Sequence, residues 1–254
     1  MIDIHSHILP GIDDGAKHEQ ESLEMARQAS KEGVRTIIAT PHFDSRFRNT
    51  ASEVKAAVEI FNELLKQYDI PVSVLPGQEV HIGEELLENL DKEIILPITQ
   101  LGHYMLVELP SSSVPFYTDQ LLYDLSLKGI VPIIAHPERN AELIENPDKL
   151  YKLVKNGVLT QVTSASIAGK FGKKIQRFSE SLIESNLTHF IASDAHNTSS
   201  RNFYWEKAWN TIDKKFGADY HYLFSENAEL LVANRNVQKE IPSRVKQRKF
   251  LGMF

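Results

Sequence analysis

The 254-residue chain contains no cysteine. That excludes disulfides, thiolate metal sites and any cysteine nucleophile, and it fits a reducing compartment. No apolar run approaches the roughly 20 residues that a membrane-spanning helix needs. Met1 leads straight into "IDIH", without a charged start, an apolar block or a cleavage site. The sequence therefore points to a cytoplasmic protein with no membrane insertion. Positive charge is also in short supply: 28 Lys and Arg against 34 Asp and Glu give a formal net charge of −6, which argues against nucleic-acid binding. An anionic substrate would have to be held by a few local cations or by metal. No Gly/Ser linker or low-complexity stretch divides the chain. With 42% hydrophobic residues it can bury a full core, so one domain over residues 1–254 is expected, with a basic tail from about residue 241.

What the chain does have is a rhythm of apolar strand and amphipathic helix. Strands are predicted at 1–5 (MIDIH), 35–40 (RTIIAT), 72–77 (VSVLPG), 104–109 (YMLVEL), 131–136 (VPIIAH), 160–165 (TQVTSA) and 189–194 (HFIASD). Helices are predicted over 19–33, 51–68, 117–129, 146–157 and 172–186, several ending in the Gly or Asn that tolerates a left-handed cap. Such alternation implies a parallel sheet with right-handed crossovers. About seven units in one chain favour a distorted TIM-like α/β barrel over an open doubly wound sheet.

Histidines and acids fall at the carboxyl ends of these strands. His5 and His7 close the first, with Asp14 in the loop beyond, and His42 follows the second. Glu79 follows the third, Glu108 ends the fourth, His136 ends the fifth, and Asp194 and His196 end the seventh. In an α/β barrel that rim builds the active site, so residues far apart in sequence converge. Strand alternation sends His5 and His7 to one face and Ser6 to the other. Imidazole and carboxylate without sulfur suit divalent zinc, manganese or iron. There are more ligands than one ion accepts, which points to two or three metals sharing carboxylates, an arrangement used for phosphoester hydrolysis. A lone His42 or a lone "HSH" would be ordinary; the set, one at nearly every strand end, is not. His18, His103, His189 and His221 lie at helix starts or before strands and read as structural or solvent-facing.

The set "DIHSHILPGIDDG", "IIATPH", "PGQE", "LVELP", "IAHPERN" and "SDAHN" closely resembles the polymerase-and-histidinol-phosphatase (PHP) superfamily and, within it, the bacterial tyrosine-protein phosphatases of the CpsB/CapC/YwqE type. The resemblance runs from Met1 to near the C-terminus. It implies metal-dependent removal of phosphate from protein phosphotyrosine, with a bacterial tyrosine autokinase that regulates capsule or exopolysaccharide synthesis, carrying a Tyr-rich tail, as the substrate. It further implies three divalent ions, manganese first, with iron, zinc or magnesium as alternatives. His5, His7, Glu79 and Asp194 would bind one; Glu79 would bridge to a second on Glu108 and His136; Asp14, His42 and His196 would hold the third. Arg139 and Arg201 match family arginines that bind the phosphoryl group, for which a planar guanidinium is well shaped. Lacking cysteine, the chain would use metal-activated hydroxide as its nucleophile. Two departures stand out: Phe43 where several relatives carry a second histidine, and His81 where relatives often have arginine. Lys170, Lys173 and Lys174 are a candidate patch for an acidic substrate tail. A PHP phosphoesterase acting on a small phosphomonoester such as histidinol phosphate, or a non-catalytic phosphotyrosine-binding regulator, are the alternatives.

Overall fold

A computed structural model describes residues 1–98 and 102–246. In chain order the elements are β1 (Ile2–Ser6), α1 (Glu19–Lys31), β2 (Thr36–Ala39), β3 (His42–Phe43), α2 (Ala51–Gln67), β4 (Ser73–Pro76), β5 (Glu79–His81) and α3 (Leu86–Asp91). There follow β6 (Tyr104–Glu108), α4 (Thr118–Leu127), β7 (Val131–Ala135), a 3-10 turn (Pro137–Arg139), α5 (Ala141–Glu145) and α6 (Pro147–Lys155). The chain continues through β8 (Leu159–Thr163), α7 (Ser164–Ile167), α8 (Lys173–Glu184), β9 (Phe190–Ala192), α9 (Trp205–Lys215) and α10 (Ala218–Val232).

These strands pair in parallel, in two sheets ordered β1-β2-β4 and β3-β5-β6-β7-β8-β9. The α/β rhythm is present, divided because two strands are interrupted. β2 resumes as β3 after Thr40-Pro41, and β4 resumes as β5 after Gly77-Gln78. Proline has no N–H to give a ladder, yet Gly77 N–H reaches Ala39 O at 2.9 Å and Glu79 N–H reaches Pro41 O at 3.2 Å, so pairing carries across the break. At the other edges Ser6 bridges Ala195, with Asp194 N–H donating to His5 O at 2.8 Å and His7 N–H to Ala195 O at 2.9 Å.

Several boundaries differ from the sequence expectation. His42 and Glu79 follow β2 and β4 as expected, but each also opens a further strand, β3 and β5, because Pro41 and Gly77 interrupt the ladders without ending them. The strand expected over 160–165 stops at Thr163, whose Oγ1 accepts from Ser166 N–H at 3.2 Å and caps α7. The strand expected over 189–194 is confined to Phe190–Ala192. Five helices close to their expected spans are α1, α2, α4, α6 and α8. Thr50 and Glu53 start α2 with a reciprocal capping box, and α6 stops at Gly157, whose φ of 100° needs glycine's freedom.

Side chains alternate between two buried clusters, one on each face of the strands. Tyr104, Leu106, Ile133, Leu159 and Phe190 pack in one, joined by Ala228 and Leu231 of α10. Met105, Val107, Ile134, Val162 and Ile191 pack in the other against the helices. Burial on both faces is what short, continuous apolar strands require. Of the basic tail, residues 241–246 are tied down at the backbone: Asn186 Nδ2 donates to Ile241 O at 3.0 Å and Ser243 N–H to Ser185 O at 2.8 Å. Arg244 pairs with Asp148 and lies over Tyr151. The tail's remainder, 247–254, lies outside the described residues.

Candidate metal centre

The loop after β1 folds back on itself, so that Ala16 N–H donates to His7 O at 3.1 Å and Gly11 N–H to Ala16 O at 2.7 Å. Gly15 makes this possible. A Cβ there would lie 2.1 Å from His7 O and 2.5 Å from His7 Cβ. The fold-back brings Asp13 beneath His7 and Asp14 beside His42 and His196. On the other side, His136 and Asp194 adopt left-handed backbone, at φ 33° and 52°. Non-glycine residues meet a steric cost there, of a kind that concentrates at functional sites.

The outer ring nitrogens of three histidines are anchored. His5 Nδ1 is 2.8 Å from Gln161 Oε1, His7 Nδ1 is 2.7 Å from Asp13 Oδ2, and His196 Nδ1 is 3.0 Å from Asp194 O. Each acceptor selects the Nδ1–H tautomer and leaves the Nε2 lone pair facing inward, the arrangement that metal-ligating histidines share. Inside, His5 Nε2 and His7 Nε2 are 3.2 Å apart. Glu79 Oε2 lies 3.3 and 3.2 Å from them, and Asp194 Oδ1 3.4 Å from both. Two ligand atoms at about 2.1 Å from one ion and 90–110° apart are separated by about 3.0–3.4 Å. Among the described residues, Glu79 Oε2, Asp194 Oδ1, His42 Nδ1 and His196 Nε2 are buried without a hydrogen-bond partner. Such atoms are costly unless something else satisfies them, and a divalent cation fits this donor set. Three groups have ligand atoms close enough together to share an ion: His5, His7, Glu79 and Asp194; His7, Asp14, His42 and His196; and His42, Glu79 and Glu108. His136 Nε2 adjoins the third, 2.7 Å from Glu79 Oε1 and 3.9 Å from Glu108 Oε1.

The charged groups of the cluster shift one another's pKa values. Burial disfavours the Glu79 carboxylate, but His5 and His136 override it and hold its pKa well below the usual range. Asp194 is likewise opposed by burial and held well down by Arg139, then by His5, His196 and Arg201. Burial works against charge on His5, and the Glu79 and Asp194 carboxylates raise its pKa nonetheless; Asp13 does the same for His7. His196 goes the other way, down to about 4, through burial and the neighbouring His7. Any proton on Nε2 of His5 or His7 would have to leave for a cation to take that lone pair. Arg139 Nη1 and Arg201 Nη2 converge on Asp194 Oδ2, at 2.8 and 2.9 Å. The Arg139 guanidinium also lies 5.6 Å from the centre of the Phe171 ring.

A family described as capsular polysaccharide synthesis, CpsB/CapC, matches residues 1–233. The chain belongs to the CpsB/CapC family. It is 49% identical over 255 residues to the tyrosine-protein phosphatase YwqE of Bacillus subtilis (strain 168), covering 100% of both chains. Over 261 residues it is 40% identical to a putative tyrosine-protein phosphatase, CapC, of Staphylococcus aureus, again over 100% of both. The tyrosine-protein phosphatase CpsB of Streptococcus pneumoniae is 32% identical over 246 residues, 92% of this chain and 99% of that one. A solved structure from work on YwqE and CpsB as unique metal-dependent tyrosine phosphatases superimposes with a TM-score of 0.94 at 48% identity, covering 97% of this chain and 100% of the other. A β-aspartyl dipeptidase from Fervidobacterium islandicum gives a TM-score of 0.54 at 14% identity over 96% of this chain and 76% of its own, a likeness of fold alone.

All eleven residues singled out from the sequence lie in or against this CpsB/CapC cluster. Sequence reasoning missed two that orient them. Asp13 was visible beside Asp14, but nothing local says which carboxylate serves His7. Gln161 sits mid-strand in β8 and carries no signal at all. Of the departures, Phe43 is buried beneath the Arg48 guanidinium and supplies no second imidazole. His81 Nδ1 is 3.3 Å from Glu108 Oε2, and that hydrogen bond raises its pKa, favouring the positive charge that arginine would have carried. Ser6 is buried with its Oγ on Ala195 O at 3.3 Å and is no ligand, as alternation required. Lys170 lies over the Tyr204 ring at 4.4 Å, and Lys173 and Lys174 open α8, exposed. His18 caps α1, His103 meets Tyr104 edge-on, His189 is buried and His221 stacks on Trp209, all apart from the cluster.

Proposed function

We propose that this chain is a metal-dependent, cysteine-independent protein-tyrosine phosphatase. The observation that carries the reading is the set of 3.2–3.4 Å separations among His5, His7, Glu79 and Asp194, two of whose oxygens are otherwise unsatisfied. Those four residues would hold one divalent ion. Glu79, Glu108 and His136 would hold a second, and Asp14, His42 and His196 a third, with manganese the first choice and iron, zinc or magnesium alternatives. Such ions supply Lewis acidity at the phosphoryl oxygens and lower the pKa of water to about 7.

The chain's own residues do the rest. Arg139 and Arg201 already share one anionic oxygen, so both guanidiniums face the point where phosphoryl oxygens would gather, and they stabilise equatorial charge as the transition state loosens. Asp13 and Gln161 fix the His7 and His5 rings. Tyrosine leaves as a phenolate whose conjugate acid has a pKa of about 10, so less acid assistance is needed than for a serine alkoxide. The seam contacts Ser6–Ala195 and Glu79–Pro41 support a distorted barrel of about seven strand–helix units in a single domain, with the cluster at its rim. Among the described residues no helix is long and apolar enough to cross a membrane, which is in keeping with a cytoplasmic enzyme. Its substrate would be a tyrosine-phosphorylated bacterial kinase governing capsule synthesis.

Metal-stripped protein reloaded with manganese, zinc or magnesium tests this against a phosphotyrosine peptide, a phosphoserine peptide and histidinol phosphate. Phosphotyrosine-selective turnover that requires metal and is lost in His136→Ala is expected. Folded, metal-loaded protein that turns over none of the three refutes the enzyme reading; a preference for histidinol phosphate replaces it.

A further inference from the structure

A cavity of about 230 Å³ opens beside the cluster, between the carboxyl ends of β6 and β7. Its lining includes three residues of the site, Glu108, His136 and Arg139. Leu109, Ala135 and Pro137, all buried, give the lining its apolar part, and Asn140 adds a further polar group. Exposed Ser111 stands on its lining, and its side chain is not engaged in the loop's own hydrogen bonds. The loop over the cavity is held in place from below. Asn140 Nδ2 donates to Pro110 O at 2.7 Å and Ser113 O at 2.9 Å, while Ala141 N–H donates to Ser111 O at 2.8 Å. The cavity is therefore preformed, as ligand sites usually are.

We propose that this cavity is the aryl subsite, which receives the ring of an aromatic phosphomonoester while Arg139 and the cluster hold its phosphoryl group. The inference rests on the phosphatase reading and names how that site chooses its substrate. Size supports it: an apolar cavity of about 150 Å³ admits benzene, so 230 Å³ takes a phenyl ring with the ester oxygen. Polarity supports it too, since the lining combines Arg139, Glu108 and His136 with the apolar Leu109, Ala135 and Pro137. A phosphoserine side chain ends in a single methylene and leaves the apolar lining uncovered. Discrimination between aryl and alkyl phosphates then arises from this lining as well as from the leaving group. A competing place for the ring is Phe47, whose ring lies nearly parallel to that of His42 with centroids 6.2 Å apart. Phe47 does not line the cavity, whereas Arg139 does.

Calorimetric titration of manganese-loaded protein with phenylphosphonate and methylphosphonate reads the subsite without turnover. Phenylphosphonate is expected to bind about tenfold more tightly, which corresponds to about 1.4 kcal/mol. Ser111→Phe, which adds bulk at an exposed lining position outside the cluster, should bring the ratio to near one while methylphosphonate binding stays within twofold. Phe47→Ala should leave the ratio intact. The inference is overturned if Ser111→Phe leaves the ratio unchanged, if it weakens both ligands equally, or if Phe47→Ala abolishes the preference. Turnover of a phosphotyrosine peptide by the same samples separates the two readings: a preserved aryl ratio without turnover sinks only the enzyme assignment, and turnover without an aryl ratio sinks only the subsite.

Discussion

His189 offers a quantitative test of how burial shapes this molecule away from the metal centre. Its ring is 4% exposed, and Nδ1 accepts the Thr160 N–H at 3.1 Å, so a proton on that nitrogen would face a donor. Burial, with a smaller contribution from the Lys239 charge, pushes its pKa from 6.5 down to about 3. Below pH 6.5 the unfolded chain therefore binds a proton that the folded protein refuses. The stability from neutral His189 is complete above that pH and is lost as pH falls towards 3. At 1.36 kcal/mol per pKa unit the loss reaches roughly 3 kcal/mol by pH 4.5. Asp3 masks it in the wild type, because burial raises its pKa to about 6. Its contribution is present below 3.8 and disappears as pH rises through 6, a slope of opposite sign. Comparison with His189→Gln removes the masking, since Asp3 is common to both proteins and a glutamine carbonyl can accept the Thr160 N–H without titrating. In urea unfolding of the metal-stripped proteins, the stability advantage of the wild type should shrink by roughly 3 kcal/mol between pH 7.5 and 4.5. A difference that stays constant across that range would refute the assignment of a neutral, buried His189.

Two further expectations concern the centre itself. Asp13→Asn should weaken metal binding by about 10–100-fold, because a neutral amide no longer fixes the His7 tautomer; unchanged affinity in a metal titration would show that the carboxylate is dispensable. Gly15→Ala places a Cβ 2.1 Å from His7 O, so the fold-back must open. The variant should keep a native circular dichroism spectrum yet lose affinity for metal by at least about tenfold, an outcome contradicted by normal loading.

The strands and the residues of the candidate cluster were legible in the sequence for one reason: nearly every apolar run ends in, or is closely followed by, a residue that a solvated loop rarely needs. "YMLVE" and "VPIIAH" declare both a strand and its terminal ligand. The interruptions at Pro41 and Gly77 were not legible, since a proline or glycine after an apolar run ordinarily reads as an end, and only partner strands reveal that pairing resumes at His42 and Glu79. The short α7 was hidden because Ser164 and Ala165 continue an apolar strand pattern, and it takes the Thr163 cap to turn the chain. Gln161 escaped for the same reason in reverse: its importance lies wholly in a 2.8 Å contact to a residue 156 positions away. Local pattern fixes which atoms are available, and tertiary neighbours decide which of them are oriented.

Two of the three ligand groups draw on both extremes of the fold, His5 and His7 from the first strand and Asp194 and His196 from beyond the last. During synthesis His5 and His7 leave the ribosome nearly two hundred residues ahead of Asp194 and His196, which would complete these groups. A nascent fragment that ends before Asp194 lacks a member of each group. Metal capture at these groups would therefore come late: a molecule that trapped an ion there would also have brought β1 against the segment following β9.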